Sequence, residues 1–414
     1  MMAGTSSSLR PANPVGPSVD VGHVRLFGRE LPWWAGILGV YAASRVVTTL
    51  FMLTLYLLAG TFHWEGGSPQ SHPTFLGFAG SWDASFYRRI VEHGYPATLP
   101  TDADGDIEQN EWAFLPLYPL VVRGLMAATG LGFAPAGVLV AVLCGAAASL
   151  VLYRLVASRV GAVSGVWAAV FFCFGPLSFV LQIAYAESMF FVLLFAALWA
   201  IMARRYWAVI PLGVAAAFTR PGELALPLTL GIMFVIRAVR ARRAQEDFGI
   251  RERVAMIVAG AVTAVAGLAW PLVAATVTGT PGAYVETELS WWTGFIGRVA
   301  FVPLTPWFLF TWRYASVAGA IAVVAVIAGY AWLLSRPSIR ALGTEVVAYA
   351  SSYALYLFAV FLPQQSLLRL LMPLAPLAGA HGLTHNVRAR RIVLVAGIAL
   401  QPIALVLLWF IGYP

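Results

Sequence analysis

Residues 81–96, SWDASFYRRIVEHGYP, put two carboxylates, two arginines, a histidine and four aromatic rings into a chain that is otherwise mostly hydrocarbon. From Asp83 to His93 there is no proline or glycine, which predicts a short helix ending at Gly94 and Pro96. Arg88 and Glu92 stand four apart and are expected to pair, whereas three and four positions beyond Asp83 lie Phe86 and Tyr87. Asp83 is thus locally un-neutralised. Its simplest role is the N-cap of this helix, worth about 1 kcal/mol. Its sharper role is a general base at a lipid–water boundary, an assignment worth about 10² to 10⁴ in rate. Three further polar residues could join it. Glu187 opens an apolar run, where a carboxylate is costly enough to imply function, or else serves as a favourable acid at a helix N-terminus. Arg220 and Arg369 each sit at the end of an apolar run and either hold a phosphate bidentately or snorkel to lipid headgroups.

The elements that position these residues must be membrane helices. Of 414 residues, 60% are hydrophobic and 11% charged, far from a soluble domain. Apolar runs near the roughly 20 residues needed to cross a bilayer recur throughout. They predict an all-α polytopic membrane protein with about eleven transmembrane helices, at 33–58, 132–153, 162–182, 187–203, 207–220, 222–238, 254–275, 315–334, 343–362, 367–383 and 392–411. Residues 1–30, small, polar and Pro-rich at their start, read as a disordered cytoplasmic tail, and 31–414 as a single transmembrane domain. With the N-terminus inside, 18 of the 26 basic residues, all of them Arg, fall on the cytoplasmic side. The same threading puts Asp83, Glu187, Arg220 and Arg369 together on the outer side, at the cytoplasmic membrane's extracytoplasmic face. Within the first outer loop, 60–113, Trp82, Phe86, Ile90 and His93 share a face suited to an interfacial helix. The segment 114–130 reads as a surface or re-entrant helix. Trp291, Trp292 and Trp312 in a second outer loop read as interfacial anchors, with a lipid or sugar platform as the alternative. Arg45, inside the first span, is expected to meet a carboxylate or backbone carbonyls.

Other chemistries find little support. The acidic stretch DADGDIEQNE, 102–111, lacks Gly and Glu at the positions a calcium loop requires, so it reads as a solvated loop, and a divalent metal has only this weak signal in its favour. His63, His72 and His93 have no zinc-ligand spacing. Cys144 and Cys173 lie in apolar runs and predict neither a disulfide framework nor a metal site. There is no phosphate-binding P-loop and no dinucleotide fingerprint, and the basic residues fall between membrane segments, which argues against a nucleic-acid partner.

The stretch WDASFYRRIVEHGYP resembles the first-loop motif of the PIG-V family, GPI mannosyltransferase II-like members of the GT-C membrane glycosyltransferases, bacterial members included. FLPLYPLVVR (114–123), AYAESMFFVLLF (184–195), FTRPGELALPL (218–228) and QSLLRLLMPLAPL (365–377) resemble further blocks of that family, in the same order. The resemblance implies a GT-C-like fold with 60–113 as the catalytic loop. It also implies inverting transfer of mannose from a polyprenyl-phosphate-mannose donor to a lipid-linked glycan or protein acceptor, among membrane lipids and with no certain cofactor. Asp83 would be the catalytic base, and Arg369, Arg220 and Arg88 would bind the donor phosphate. Trp82, Tyr87, His93, Tyr118, Tyr185, Glu187, Glu223 and Gln365 would contact substrate. Glu223 after the glycine of TRPGE, and the leucine following Arg369, depart from the family pattern. The rival readings are another lipid-phosphate-sugar transferase and a polytopic lipid or glycan transporter. The latter typically shows an internal repeat, and none is evident here.

Overall fold

The computed structural model describes residues 22–26, 28–64 and 74–412. Most of the expected N-terminal tail, and His72, lie outside the described residues. The part of the tail that is described is ordered: β1 (His23–Leu26) and β2 (Arg29–Pro32) pair as an antiparallel hairpin, Val24 facing Leu31. All other regular structure among the described residues is helical. In chain order the helices are α1 (Trp33–Thr61), α2 (Phe75–Phe78), α3 (Asp83–His93), α4 (Leu117–Thr129), α5 (Phe133–Val160), α6 (Ala162–Phe174), α7 (Glu187–Met202), α8 (Tyr206–Ala217) and α9 (Ala225–Arg242). They continue with α10 (Ile250–Thr278), α11 (Ala283–Ser290), α12 (Thr293–Ile296), α13 (Pro306–Ser335), α14 (Pro337–Arg340), α15 (Thr344–Val360), α16 (Leu367–Leu370), α17 (His381–Thr384) and α18 (Val387–Leu405).

This is a multi-pass membrane protein. Five segments, α1, α5, α10, α13 and the run Val387–Ile411 that begins with α18, are long and apolar enough to cross a bilayer alone. Shorter apolar helices lie among them. The 16 residues of α7 rise about 24 Å, less than the hydrocarbon thickness. It is packed between α5 and α8 and is largely buried, whereas α13 keeps most of its surface exposed.

Two expected spans are not continuous α-helices. The segment 162–182 stops at Phe174, because Gly175-Pro176 disfavours continuation, and resumes as a 3₁₀ stretch, Ser178–Gln182. The segment 367–383 divides into α16, a 3₁₀ run at Met372–Gly379 and α17, since Pro373 and Pro376 carry no amide hydrogen for an α-helical ladder. In α13 the backbone breaks at Ser316 (φ 47°), close to where the span was expected to begin.

The break after α6 explains Arg45. It leaves the Cys173 carbonyl at the end of α6 without a helical partner and brings the Ser178 carbonyl of the 3₁₀ stretch beside it, deep in the bundle. The Arg45 guanidinium donates to Ser178 O (2.6 Å), Cys173 O (3.1 Å) and Gln182 Oε1 (3.1 Å), while its plane lies over Tyr41. Of the two expected partners, it therefore takes the carbonyls. Tyr41 in turn reaches α5 across Gly145, where any Cβ would meet the phenol oxygen at 2.5 Å. An Arg45→Leu substitution removes the hydrogen bonds to two buried carbonyls and to Gln182, and should cost on the order of 2 kcal/mol or more. Detergent-solubilised Arg45→Leu should melt several degrees below wild type, with the lipid-exposed Val46→Leu unchanged; equal melting of Arg45→Leu and wild type would refute the structural role.

Candidate functional site

The local fold around Asp83 is set by its neighbours. Trp82 occupies the cap position of α3 with φ 58° and ψ −121°, a region that side-chain-bearing residues seldom adopt and that costs on the order of 1–3 kcal/mol. Its indole N–H donates to Trp409 O at 2.8 Å, and the next amide, Asp83 N–H, donates to the Tyr185 hydroxyl at 3.1 Å. Asp83 is the first residue of the helix rather than its cap. At the other end, Arg123 of α4 donates to the Ile90 and Val91 carbonyls and so closes α3. The face expected to lie on the membrane packs on protein instead. Phe86 stacks on Phe114 with centroids 4.6 Å apart, Ile90 is buried, and only His93 is well exposed. Arg88, expected to pair with Glu92, lies over the Phe133 ring, while the neighbouring Arg89 pairs with Glu111.

Asp83 is neutralised from far along the chain. Arg369 of α16 places one terminal nitrogen 2.6 Å from Asp83 Oδ2 and the other 3.0 Å from Glu187 Oε1. The same Glu187 oxygen accepts from Arg220, which lies in the connection between α8 and α9. Asp83, Glu187 and Arg369 are 9%, 1% and 8% exposed. Two cations and two anions thus form one buried chain, drawn from four separate segments. The Tyr185 ring lies beneath the Arg369 guanidinium, 5.3 Å from its carbon.

A cavity of about 370 Å³ opens against this chain. Asp83, Tyr87, Arg220, Glu223 and Arg369 line it, together with Tyr284, Glu288, Trp291 and Trp292. Glu223 is buried with neither carboxyl oxygen partnered among the described residues. Space for it comes from Gly213 of α8 and Gly267 of α10; a Cβ at 267 would stand 2.6 Å from Glu223 Oε2. Glu288 hydrogen-bonds Tyr284; burial pushes its carboxyl up to about 7, opposed by that hydrogen bond and by Arg220.

Of the residues singled out from sequence, Asp83, Tyr87, Glu223, Arg220 and Arg369 meet at the cavity, and Glu187 links the two arginines behind it. Tyr118 and Tyr185 pack just beneath: Tyr118 donates to Gly137 O and meets Tyr87 edge-on. Arg88, His93, Trp82 and Gln365 do not line the cavity, and the neighbouring Gln364 does. Glu288, Tyr284 and Gln364 went unrecognised. The signal for Glu288 is present in VETELSWW, an acid beside two tryptophans, but the reading of those tryptophans as interfacial anchors, or as a lipid or sugar platform, gives the acid no part. Trp291 and Trp292 line the cavity, and Trp312 is exposed. In the 102–111 stretch the Asp102 carboxylate accepts the amides of Asp104 and Asp106, and Arg298 bridges Asp102 and Asp106 at 2.6 Å each.

Residues 70–220 match the family described as Mannosyltransferase (PIG-V). That region contains Asp83, Glu187 and Arg220, while Arg369 lies beyond it. A comparison with curated proteins gives no match. Among solved structures, the chain is similar to the Archaeoglobus fulgidus oligosaccharyltransferase, crystallised with Zn and sulfate, at 14% identity and a TM-score of 0.45. The similarity covers 90% of this chain and 53% of that one, so the chain spans about half the length of that protein.

Glu187 holds both arginines, and Glu187→Gln leaves two buried guanidiniums facing a single carboxylate. The uncompensated charge should cost about 3–5 kcal/mol. In detergent this variant should therefore unfold at a clearly lower temperature, with exposed Glu92→Gln as the neutral comparison. Coincident melting curves for Glu187→Gln and wild type would show that the ion-pair chain does not form.

Proposed function

We propose that this membrane glycosyltransferase, which carries the PIG-V mannosyltransferase family's sequence over residues 70–220, moves a mannosyl residue from polyprenyl-phosphate mannose to a hydroxyl of a lipid-linked glycan or protein. Transfer takes place at the extracytoplasmic face with inversion at the sugar carbon, residues 60–113 form the catalytic loop of a single transmembrane domain, 31–414, and Asp83 is the general base. The observation that carries this reading is the Asp83 carboxylate at a cavity wall with two arginines beside it.

The chemistry follows from that arrangement. The acceptor oxygen attacks C1 of the sugar from one face and gives its proton to Asp83. The bond between C1 and the phosphate oxygen breaks on the opposite face, and its electron pair leaves with the polyprenyl phosphate. A guanidinium held in a water-poor cavity stabilises that developing charge more than solvent would, and this role is assigned to Arg369 and Arg220, which both line the cavity. A donor with a prenyl tail approaches through lipid, which favours a reactive carboxylate at the end of the helix bundle. The outward direction rests on charge: the arginine-rich turns at 204–205 and 237–253 close the opposite ends of α7, α8 and α9 from Glu187 and Arg220.

Membranes carrying wild type or Asp83→Asn, supplied with polyprenyl-phosphate mannose labelled in the sugar, test the assignment. Transfer of label should fall about 10² to 10⁴-fold in the variant, and the new glycosidic bond should have the anomeric configuration opposite to the donor's. Undiminished transfer by Asp83→Asn would remove Asp83 as the base.

A further inference from the structure

The cavity lining combines two kinds of chemistry. The two arginines, Asp83 and Glu223 come from α3, the α8–α9 connection and α16. The segment α11 and the two residues after it add a carboxyl, a phenol and two indoles: Glu288, Tyr284, Trp291 and Trp292. A phosphate is repelled by a carboxylate and gains little from indole rings. A sugar ring matches both: its hydroxyls donate to a carboxylate, and its C–H bonds, weakly positive, rest on the negative face of an aromatic ring.

The position of Trp291 is fixed relative to the base. Its ring lies 5.6 Å from Phe86 and 5.9 Å from Phe114, and those two rings stack on each other. Phe86 follows Asp83 by three residues on α3, so both lie on one face of the same helix. A ring resting on Trp291 is thereby held in register with the Asp83 carboxylate. Glu288 is one helical turn past Tyr284 on the same face of α11, so the phenol and the carboxyl stand next to each other, and the carboxyl keeps acceptor capacity.

We propose that Trp291, Glu288 and Tyr284 form the acceptor subsite, in which Trp291 stacks on the acceptor's sugar ring and Glu288 accepts a hydrogen bond from one of its hydroxyls. The subsite rests on the transferase reading of the cavity, and it assigns to the second outer loop the choice of acceptor. Tyr284 is a positioning residue that acts through Glu288.

The probe is octyl mannoside, used both as a ligand and as an acceptor with full-length protein in detergent. Binding is read from tryptophan fluorescence in the Asp83→Asn background, where no transfer consumes the ligand. It should be saturable, and at pH 8, where Glu288 is mostly ionised, Glu288→Gln should weaken it about tenfold, as expected for losing a hydrogen bond to a charged group. Glu288→Asp should recover most of that loss. In the transfer assay Glu288→Gln should raise the KM for octyl mannoside about tenfold, with kcat and the KM for the lipid donor little changed. A variant that is merely misfolded would lower kcat and perturb the donor KM as well. The proposal is overturned if octyl mannoside neither binds nor accepts, if Glu288→Gln alters only the donor KM, or if a serine/threonine peptide binds with the same Glu288 dependence while octyl mannoside does not. Should Asp83→Asn transfer as well as wild type while Glu288→Gln still raises the acceptor KM, the base assignment fails and the subsite stands; the reverse result removes the subsite and keeps the base.

Discussion

One carboxylate oxygen, Glu187 Oε1, receives hydrogen bonds from two buried arginines, and the geometry of the site follows from it. Charges taken out of water this thoroughly are tolerated only in pairs, because desolvating each one costs several kcal/mol. Arg220 and Arg369 therefore have to converge on Glu187, and Arg369 then reaches Asp83 with its remaining terminal nitrogen. The consequence is topological. The first outer loop, the start of α7, the α8–α9 connection and α16 are brought to one point although three of them are short or irregular. Such segments have little apolar surface with which to fix their own positions, and α16 is only four residues long. The ion pairs fix them instead.

The helix arrangement makes room for this cluster inside a membrane protein. The long spans, α10 and α13 above all, leave most of their surface exposed, whereas the shorter α7 is surrounded by other helices. Helix α7 begins at Glu187 and rises only about 24 Å, less than the hydrocarbon thickness, and the segments beside its first residue are irregular. Non-helical backbone at that depth is tolerated only where protein covers it or a cavity solvates it. Here both occur: Ser178–Gln182 is covered and satisfied by Arg45, and the 219–224 turn borders the cavity. Close helix approach supports the same architecture, with Gly213 and Gly267 leaving space that the Glu223 side chain fills.

Much of this was readable from residue type alone. Carboxylates and arginines at the ends of apolar runs are costly, which draws attention to Glu187, Arg220 and Arg369, while Asp83 stands out in its polar stretch by having no basic residue three or four positions on. Their pairing was not readable. The spacing rule for helices sees only partners three or four residues away, so it left Asp83 free and paired Arg88 with Glu92, while Arg369 and Phe133 supply the actual contacts. The N-cap reading failed for a related reason. A cap contributes about 1 kcal/mol, and a buried carboxylate facing a guanidinium is worth more than that. Glu288 escaped because tryptophans in an outer loop have a sufficient explanation as membrane anchors. What distinguishes Trp291 is its contact with Phe86 and Phe114, which no linear spacing encodes. Apolar runs located the helices but not their interruptions, since hydropathy counts Pro373 and Pro376 as ordinary members of a greasy segment.

The Asp83–Arg369 pair also bears on how the proposed reaction is coupled. Both terminal nitrogens of Arg369 face carboxylates, its buried Nε has no partner among the described residues, and with Arg220 and Glu187 the cluster has no net charge. A site so balanced gives a phosphate monoanion no strong Coulombic welcome in the ground state. During transfer the balance changes. When Asp83 takes the acceptor's proton it becomes neutral and its hold on Arg369 weakens, at the moment when the leaving phosphate gains negative charge. In the proposed reaction the guanidinium, released by one carboxylate, becomes available to the departing phosphate while Glu187 still holds it. Binding energy is then expressed in the transition state rather than in the donor complex, which is the condition under which it raises kcat. A base held by a salt bridge looks, in the resting state, like a poor catalyst; here the salt bridge ties proton uptake at one end of Arg369 to charge stabilisation at the other.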